Sequence, residues 1–210
     1  RELDMTDLAY RGSDSWANYV KGVFVYLADL GFAFPHGLDI AFYGNIPNGS
    51  GLSSSASFEL LVGVIARKVY TLDIDTLGLV KVGKRVENDF IGVNSGIMDQ
   101  FAVGMGKKDH AIFLDCATLE YELVPVKLGD YRIVIMNTNK RRELADSKYN
   151  ERFAETRIAL KELQEHVAIE SLGDLTIDQF DELKHHLSSE LFVKRARHAV
   201  SENERTVLAT

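Results

Sequence analysis

A short loop rich in glycine and serine runs directly into a long apolar segment, and this junction constrains the fold more than any other feature. Residues 45–57 read Asn-Ile-Pro-Asn-Gly-Ser-Gly-Leu-Ser-Ser-Ser-Ala-Ser, and residues 58–70 are apolar nearly all round. An apolar helix of this kind is expected to be buried, which fixes the amide groups of its first turn. Because unpaired amides and the helix dipole together attract anions, the junction predicts a phosphate-binding loop.

The loop carries no cationic side chain, since residues 45–57 contain neither Lys nor Arg. Gly49 and Gly51 let the backbone approach a ligand closely and adopt positive φ. Backbone amides and serine hydroxyls would therefore hold the phosphate. The dinucleotide fingerprint is not met because Ser54 replaces its third glycine, and the P-loop is not met because Ser50 replaces its lysine. The alternative is a turn that only caps the helix.

Two acidic residues downstream are candidates for chemistry. Glu87 lies near the end of a helix predicted over residues 76–90, and Asp99 follows a segment broken by Gly92 and Gly96. This return of the chain predicts that both carboxylates reach one cleft, where an acid near a helix C-terminus favours a bound cation. The alternatives are a solvated surface acid for Glu87 and a helix N-cap for Asp99.

Three motifs resemble the GHMP small-molecule kinases. The run Pro-x-x-x-Gly-Leu-Ser-Ser-Ser-Ala at residues 47–56 is similar to the second signature of that family, in the form found in galactokinases. Gly-Ile-Met-Asp-Gln-Phe at residues 96–101 and Trp-Ala-Asn-Tyr-Val-Lys-Gly at residues 16–22 add to the resemblance. The family's chains are longer at both ends, so we expect an internal fragment that lacks the first and third family motifs and is inactive alone.

The resemblance implies ATP-dependent phosphorylation of galactose at its anomeric hydroxyl, giving galactose 1-phosphate and ADP. It implies Asp99 as the catalytic base, and Ser55 and Glu87 as ligands of Mg²⁺. The implied sugar contacts are Gly96, Asp99 and Tyr149. The implied ATP-binding residues are Gly49, Ser50, Gly51, Leu52, Ser53, Ser54, Ser55 and Trp16.

For two of these residues the spacing leaves another role open. The helical periodicity around Trp16 favours a core anchor, whereas the resemblance places this side chain near the adenine site. Tyr149 is, on periodicity alone, equally a half-buried helix residue.

The predicted fold class is α+β, a mixed sheet packed on helices of the GHMP-kinase type. We expect an N-terminal nucleotide-binding domain over residues 1–129 and the beginning of a second α+β domain over residues 130–210. Strands are predicted at residues 38–43, 110–115, 120–125 and 131–138, the last a nearly continuous apolar run typical of a central strand. Helices are predicted at residues 16–30, 58–70, 76–90, 148–166, 176–187 and 191–208.

Composition limits the partners. The net charge of −7 argues against a general nucleic-acid surface. The sequence shows neither an apolar run of membrane-spanning length nor a signal peptide. Cys116 is the sole cysteine, which suits a reducing cytoplasm. We expect a cytoplasmic protein, monomeric when intact, whose partners are galactose and ATP rather than nucleic acid or membrane.

Other functions are weighed against this one. A non-catalytic sensor that binds galactose and ATP is disfavoured because known sensors of this resemblance lack the Ser-Ala pair, here Ser55 and Ala56. A related kinase for another acceptor, such as N-acetylgalactosamine or mevalonate, stays open. A zinc hydrolase and a serine hydrolase are disfavoured because the sequence contains neither H-E-x-x-H nor G-x-S-x-G.

Overall fold

The computed structural model describes residues 1–46, 51–137 and 148–209, and the chain divides into two compact units, Arg1–Ala145 and Asp146–Thr210. The helices are α1 (Ala17–Asp29), α2 (Ser54–Tyr70), α3 (Thr76–Arg85), α4 (Met98–Met105), α5 (Lys148–Gln164), α6 (Ile177–Leu183) and α7 (Glu190–Leu208). The strands β1 (His110–Leu114) and β2 (Tyr121–Pro125) form an antiparallel pair. The α+β class is confirmed, whereas the functional boundary between residues 129 and 130 stays a prediction.

Apolar residues at helical spacing build the core of the first unit. Val23, Phe24 and Leu27 of α1 pack in one cluster with Val62 of α2 and Leu79 of α3. A neighbouring cluster joins α2, α3 and α4 through Leu60, Val80, Ile97 and Phe101. These contacts hold α2 against α3 and α4, and they fix the direction in which its first turn points.

The described chain covers α2 on one face only. Ala56, Leu60 and Val62 are buried, but Leu61 is 42% exposed and Val64 is 40% exposed. The expectation that this helix is buried on all sides is therefore wrong within the described residues. Its buried face is turned toward α1, α3 and α4, because a helix buries only the stripe that another element covers.

Of the four predicted strands, the two that form a hairpin are present and the other two are not found in the described residues. The hairpin is confirmed, with Ile112 of β1 opposite Leu123 of β2. Residues 38–43 and 131–137 carry strand-like patterns but form no strand, and Tyr131 is 81% exposed. A strand requires a partner strand for its backbone hydrogen bonds, and the sheet of the described ranges pairs only β1 with β2.

The second unit is helical in its described part. Leu163 of α5, Phe180 of α6 and Val200 of α7 lie in one buried cluster. Thr176 and Ser189 cap α6 and α7, because each hydroxyl accepts a backbone N–H of the following first turn. Among the described helices of both units, none is long and apolar enough to cross a bilayer.

Candidate active site

The loop enters α2 through two residues with left-handed backbone. Gly51 has φ +76° and Ser53, the N-cap of α2, has φ +53°. Leu52 lies between them and Ser54 is the first residue of the helix. This confirms a sharp turn that opens a helix. Gly49 and Ser50, both predicted to bind phosphate, lie outside the described residues.

The hydroxyl of Ser53 is bound to Asp99. Ser53 Oγ donates to Asp99 Oδ1 over 2.8 Å, although 46 positions separate the two residues. Asp99 is half-buried in the first turn of α4, whose N-cap is Ile97. The alternative that Asp99 is an N-cap is therefore wrong. Its charge is still stabilised by the positive end of the α4 dipole.

The hydroxyl of Ser55 is bound to the second predicted carboxylate. Ser55 Oγ donates to Glu87 Oε1 over 2.6 Å, and Ser95 Oγ donates to Glu87 Oε2 over 2.8 Å. Glu87 is only 3% exposed, so the alternative of a solvated surface acid is wrong.

Glu87 lies in a turn of π-helix. α3 continues into Val86–Ile91 with π geometry, and Asp75 caps its start by accepting the backbone N–H of Gly78. Turns of this kind are frequent at functional sites because they redirect side chains. The predicted helix over residues 76–90 therefore exists in two parts, of which the second carries Glu87.

Ser53 and Ser55, two positions apart at the beginning of α2, thus each bind a carboxylate from a distant part of the sequence. No salt bridge of the described chain involves Glu87 or Asp99, and the hydroxyl groups of serines donate to both carboxylates. Anionic oxygens beside helix-start amides form a site that binds a polyanion only if a cation lies between the negative charges.

The remaining predicted residues lie at different places. Trp16 precedes α1 and is 48% exposed, and its ring makes a T-shaped contact with Phe58 at 5.9 Å between centroids. Burial of Trp16 as a core anchor is therefore wrong. Gly96 is exposed, three residues before Asp99. Tyr149 belongs to the second unit, where it is 48% exposed near the start of α5.

Sequence reasoning did not identify Ser95. Its hydroxyl completes the hydrogen bonding of Glu87, and its backbone oxygen accepts from Asn88 Nδ2 over 3.1 Å. A serine directly before Gly96, in a segment already assigned to the site, was the available signal.

Comparison with known proteins identifies relatives of this chain. Residues 18–107 match the family model of the GHMP kinases N terminal domain. The chain is 60% identical over 208 residues to galactokinase of Enterococcus faecalis and 58% identical over the same length to galactokinase of Streptococcus mutans, in each case over 99% of this chain. A crystal structure of Lactococcus lactis galactokinase complexed with galactose matches 99% of this chain with a TM-score of 0.94 and 53% sequence identity.

Residues 18–107 of this chain therefore match a GHMP kinase N-terminal domain. The relatives it matches are galactokinases, so the resemblance drawn from its motifs is confirmed. The chain spans about half the length of these relatives, 54% of the Enterococcus protein and 53% of the Streptococcus protein.

Proposed function

We propose that a full-length protein carrying this segment transfers the γ-phosphoryl group of ATP to the anomeric hydroxyl of galactose. The observation that carries the proposal is the paired arrangement at α2, where Ser53 holds Asp99 and Ser55 holds Glu87. It supplies an anion-binding helix start, a candidate base and a candidate cation ligand in one place. Galactokinase relatives at 56–60% identity support the same reaction.

Asp99 is the proposed base. As the anomeric oxygen bonds to the γ-phosphorus of ATP, its proton passes to the carboxylate of Asp99. The bond between that phosphorus and the bridging oxygen breaks, and ADP leaves with that oxygen. The hydrogen bond from Ser53 holds the carboxylate in one orientation, which is the kind of positioning on which phosphoryl transfer chiefly depends.

Ser55 and Glu87 fit the demands of Mg²⁺. Both offer oxygen atoms, and these lie 2.6 Å apart. Mg²⁺ takes few protein ligands and keeps waters and phosphate oxygens for the rest. That agrees with the lack, across the described ranges, of any group of three or more His, Cys, Asp or Glu suited to holding a metal. When bound, the ion would neutralise charge on the phosphate oxygens.

The amides at the start of α2 are the proposed phosphate cradle. Because α2 is anchored by Ala56 and Val62, both 0% exposed, those amides keep their orientation before ligand arrives. Donors fixed in advance stabilise developing charge without reorganising. Trp16, half-exposed beside α2, is the proposed contact for the adenine ring.

The deciding experiment uses the full-length protein and measures ADP release with galactose. Asp99→Asn is expected to lower turnover by at least about a hundredfold, since general-base catalysis contributes about 10²–10⁴-fold, while nucleotide still binds. Ser57→Ala is the matched control, because no side-chain hydrogen bond of Ser57 is found in the described chain. Undiminished turnover in Asp99→Asn would remove Asp99 as the base.

The same assay separates the alternatives. Binding of galactose and ATP without ADP release supports a sensor. Turnover on N-acetylgalactosamine exceeding that on galactose supports a kinase for another acceptor.

A further inference from the structure

A third carboxyl group lies buried close to the two site carboxylates and takes no part in the proposed chemistry. Glu59 of α2 is 1% exposed, four residues after Ser55. Its neighbour is Gln100 of α4, 0% exposed and next to Asp99, whose Nε2 donates to Glu59 Oε2 over 3.2 Å. The pair joins the helix that carries the serines to the helix that carries Asp99.

Hydrogen-bond accounting shows that this pair lacks one donor. Oε1 of Glu59 and Oε1 of Gln100 are both buried without a partner in the described chain. A buried acceptor without a donor costs about 1–3 kcal/mol, and an unpaired buried charge costs more. A proton on Glu59 supplies the missing donor, because a carboxylic acid donates through one oxygen and accepts through the other.

The surroundings of Glu59 favour the protonated form. Burial, helped by the negative charge of Glu87 and more weakly by that of Asp99, raises the pKa of Glu59 to about 9, although the hydrogen bond from Gln100 acts to lower it. From α1 it faces Tyr19, whose pKa is raised to about 12, chiefly by burial. From α3 it faces Gly83, where an added Cβ would lie 3.1 Å from Glu59 Oε2. The described chain shows no salt bridge to Glu59.

We propose that Glu59 is a positioning residue that keeps its proton at neutral pH and, as a neutral acid paired with Gln100, ties α2 to α4 so that Asp99 stays against Ser53. The positioning of Asp99 for catalysis rests on the proposed function. Neutrality also matters for the ligand, since a third ionised carboxylate at this helix start would repel an incoming triphosphate.

The first test does not depend on activity. An infrared difference spectrum of the full-length protein, wild type minus Glu59→Gln at pH 7, is expected to show the carbonyl stretch of one protonated carboxyl group. A flat spectrum in that region would overturn the proposal.

Stability against pH gives a second, independent readout. Native Glu59 keeps its proton up to about pH 9, whereas the unfolded chain releases it near 4.5. A carboxyl pKa raised on folding contributes stability that is complete below the unfolded value and lost as pH rises through the folded one. As the pH rises from 5 to 9, the free energy of unfolding of wild type is therefore expected to fall continuously relative to that of Glu59→Gln. The whole loss is expected within that pH interval. A difference independent of pH would overturn the proposal.

Turnover separates a neutral pair from a charged one. Glu59→Gln, which mimics the neutral acid, is expected to keep kcat within about twofold, whereas Glu59→Leu, which leaves Gln100 unpaired, is expected to lose kcat about tenfold to a hundredfold through misplacement of Asp99. Equal losses in both variants would overturn the proposal. If wild type itself does not phosphorylate galactose, the proposed function fails, while the infrared and stability measurements still decide the state of Glu59.

Discussion

The hydroxyl of Ser55 lies 2.6 Å from Oε1 of Glu87, a carboxylate 32 positions further along the chain. A buried carboxylate needs donors, and in the described residues Glu87 receives them from Ser55 and Ser95. Since Ser55 lies in the first turn of α2, this hydrogen bond connects the start of that helix to the π-helical turn that contains Glu87.

Removing the Ser55 hydroxyl tests this connection. Ser55→Ala leaves Glu87 with the hydrogen bond from Ser95 alone, so the free energy of unfolding is expected to fall by about 1–3 kcal/mol. Turnover is expected to fall about tenfold or more, because Glu87 loses its orientation toward the proposed cation. Denaturant unfolding and the Mg²⁺ dependence of ADP release measure the two effects. A Ser57→Ala variant as damaged as Ser55→Ala would contradict this prediction.

Ser53 combines a left-handed backbone with its hydrogen bond to Asp99. A left-handed conformation costs a non-glycine residue about 1–2 kcal/mol, so Ser53→Gly is expected to be more stable than Ser53→Ala by about 1 kcal/mol. Both variants lose the hydroxyl and should lose turnover to the same extent. Thermal unfolding and steady-state kinetics decide the matter, and full activity in the glycine variant would show that the hydroxyl is dispensable.

Gly83 lets α3 approach the Glu59–Gln100 pair. A Cβ atom at this position would lie 3.0 Å from Gln100 Cγ and 3.1 Å from Glu59 Oε2. Overpacking costs about 1–3 kcal/mol, which outweighs the gain of about 1 kcal/mol in helix propensity. Gly83→Ala is therefore expected to lower the free energy of unfolding, measured by denaturant titration. Gly37→Ala, with nothing within 4 Å of its added carbon, is the control, and stabilisation by Gly83→Ala would contradict the packing argument.

A buried lysine couples stability to pH near the chain's beginning. Lys21 has a side chain only 3% exposed, and it donates to the Ala9 carbonyl over 3.0 Å and to Asp14. The hydrogen bond from Lys21 holds the pKa of Asp14 below its ordinary value of 3.8. A lowered carboxyl pKa contributes stability that is present above the ordinary value and lost as pH falls through the folded one.

Asp14→Asn should therefore lower the denaturation temperature at pH 7, and the difference from wild type should shrink below about pH 4. Scanning calorimetry across pH measures both. The exposed Asp39 supplies the control substitution Asp39→Asn. A difference that persists unchanged at acid pH would show that Asp14 does not act through its charge.

Trp16 tests the adenine contact. Its ring makes T-shaped contacts with Phe42 and Phe58, and the residue is 48% exposed, which leaves surface available to a ligand. Stacking on an aromatic side chain contributes about 1–3 kcal/mol, so Trp16→Ala is expected to weaken ATP binding about tenfold. The ATP affinity of Trp16→Phe is expected to lie between those of wild type and Trp16→Ala. Isothermal titration measures this, and galactose affinity serves as the internal control. Unchanged ATP affinity in Trp16→Ala would place the adenine elsewhere.

Local signals in the sequence were reliable where the structure depends on neighbours along the chain. Asp75, Thr176 and Ser189 each cap the helix that follows because the cap and the amide it satisfies lie within one turn. The strand pattern at residues 131–137 failed because a strand depends on a partner that its own sequence does not contain.

The sequence by itself determined that a glycine-serine turn precedes a helix, and it identified Glu87 and Asp99 as the candidate site carboxylates. Only the tertiary structure decided that Ser53 binds Asp99, that Ser55 binds Glu87, and that the lone glutamate of the apolar α2 segment, Glu59, is buried against Gln100. The physical reason is distance along the chain. Backbone preference and helix capping act within a few residues, whereas burial and hydrogen bonding between helices follow from packing, which brings residues 32 to 46 positions apart into contact.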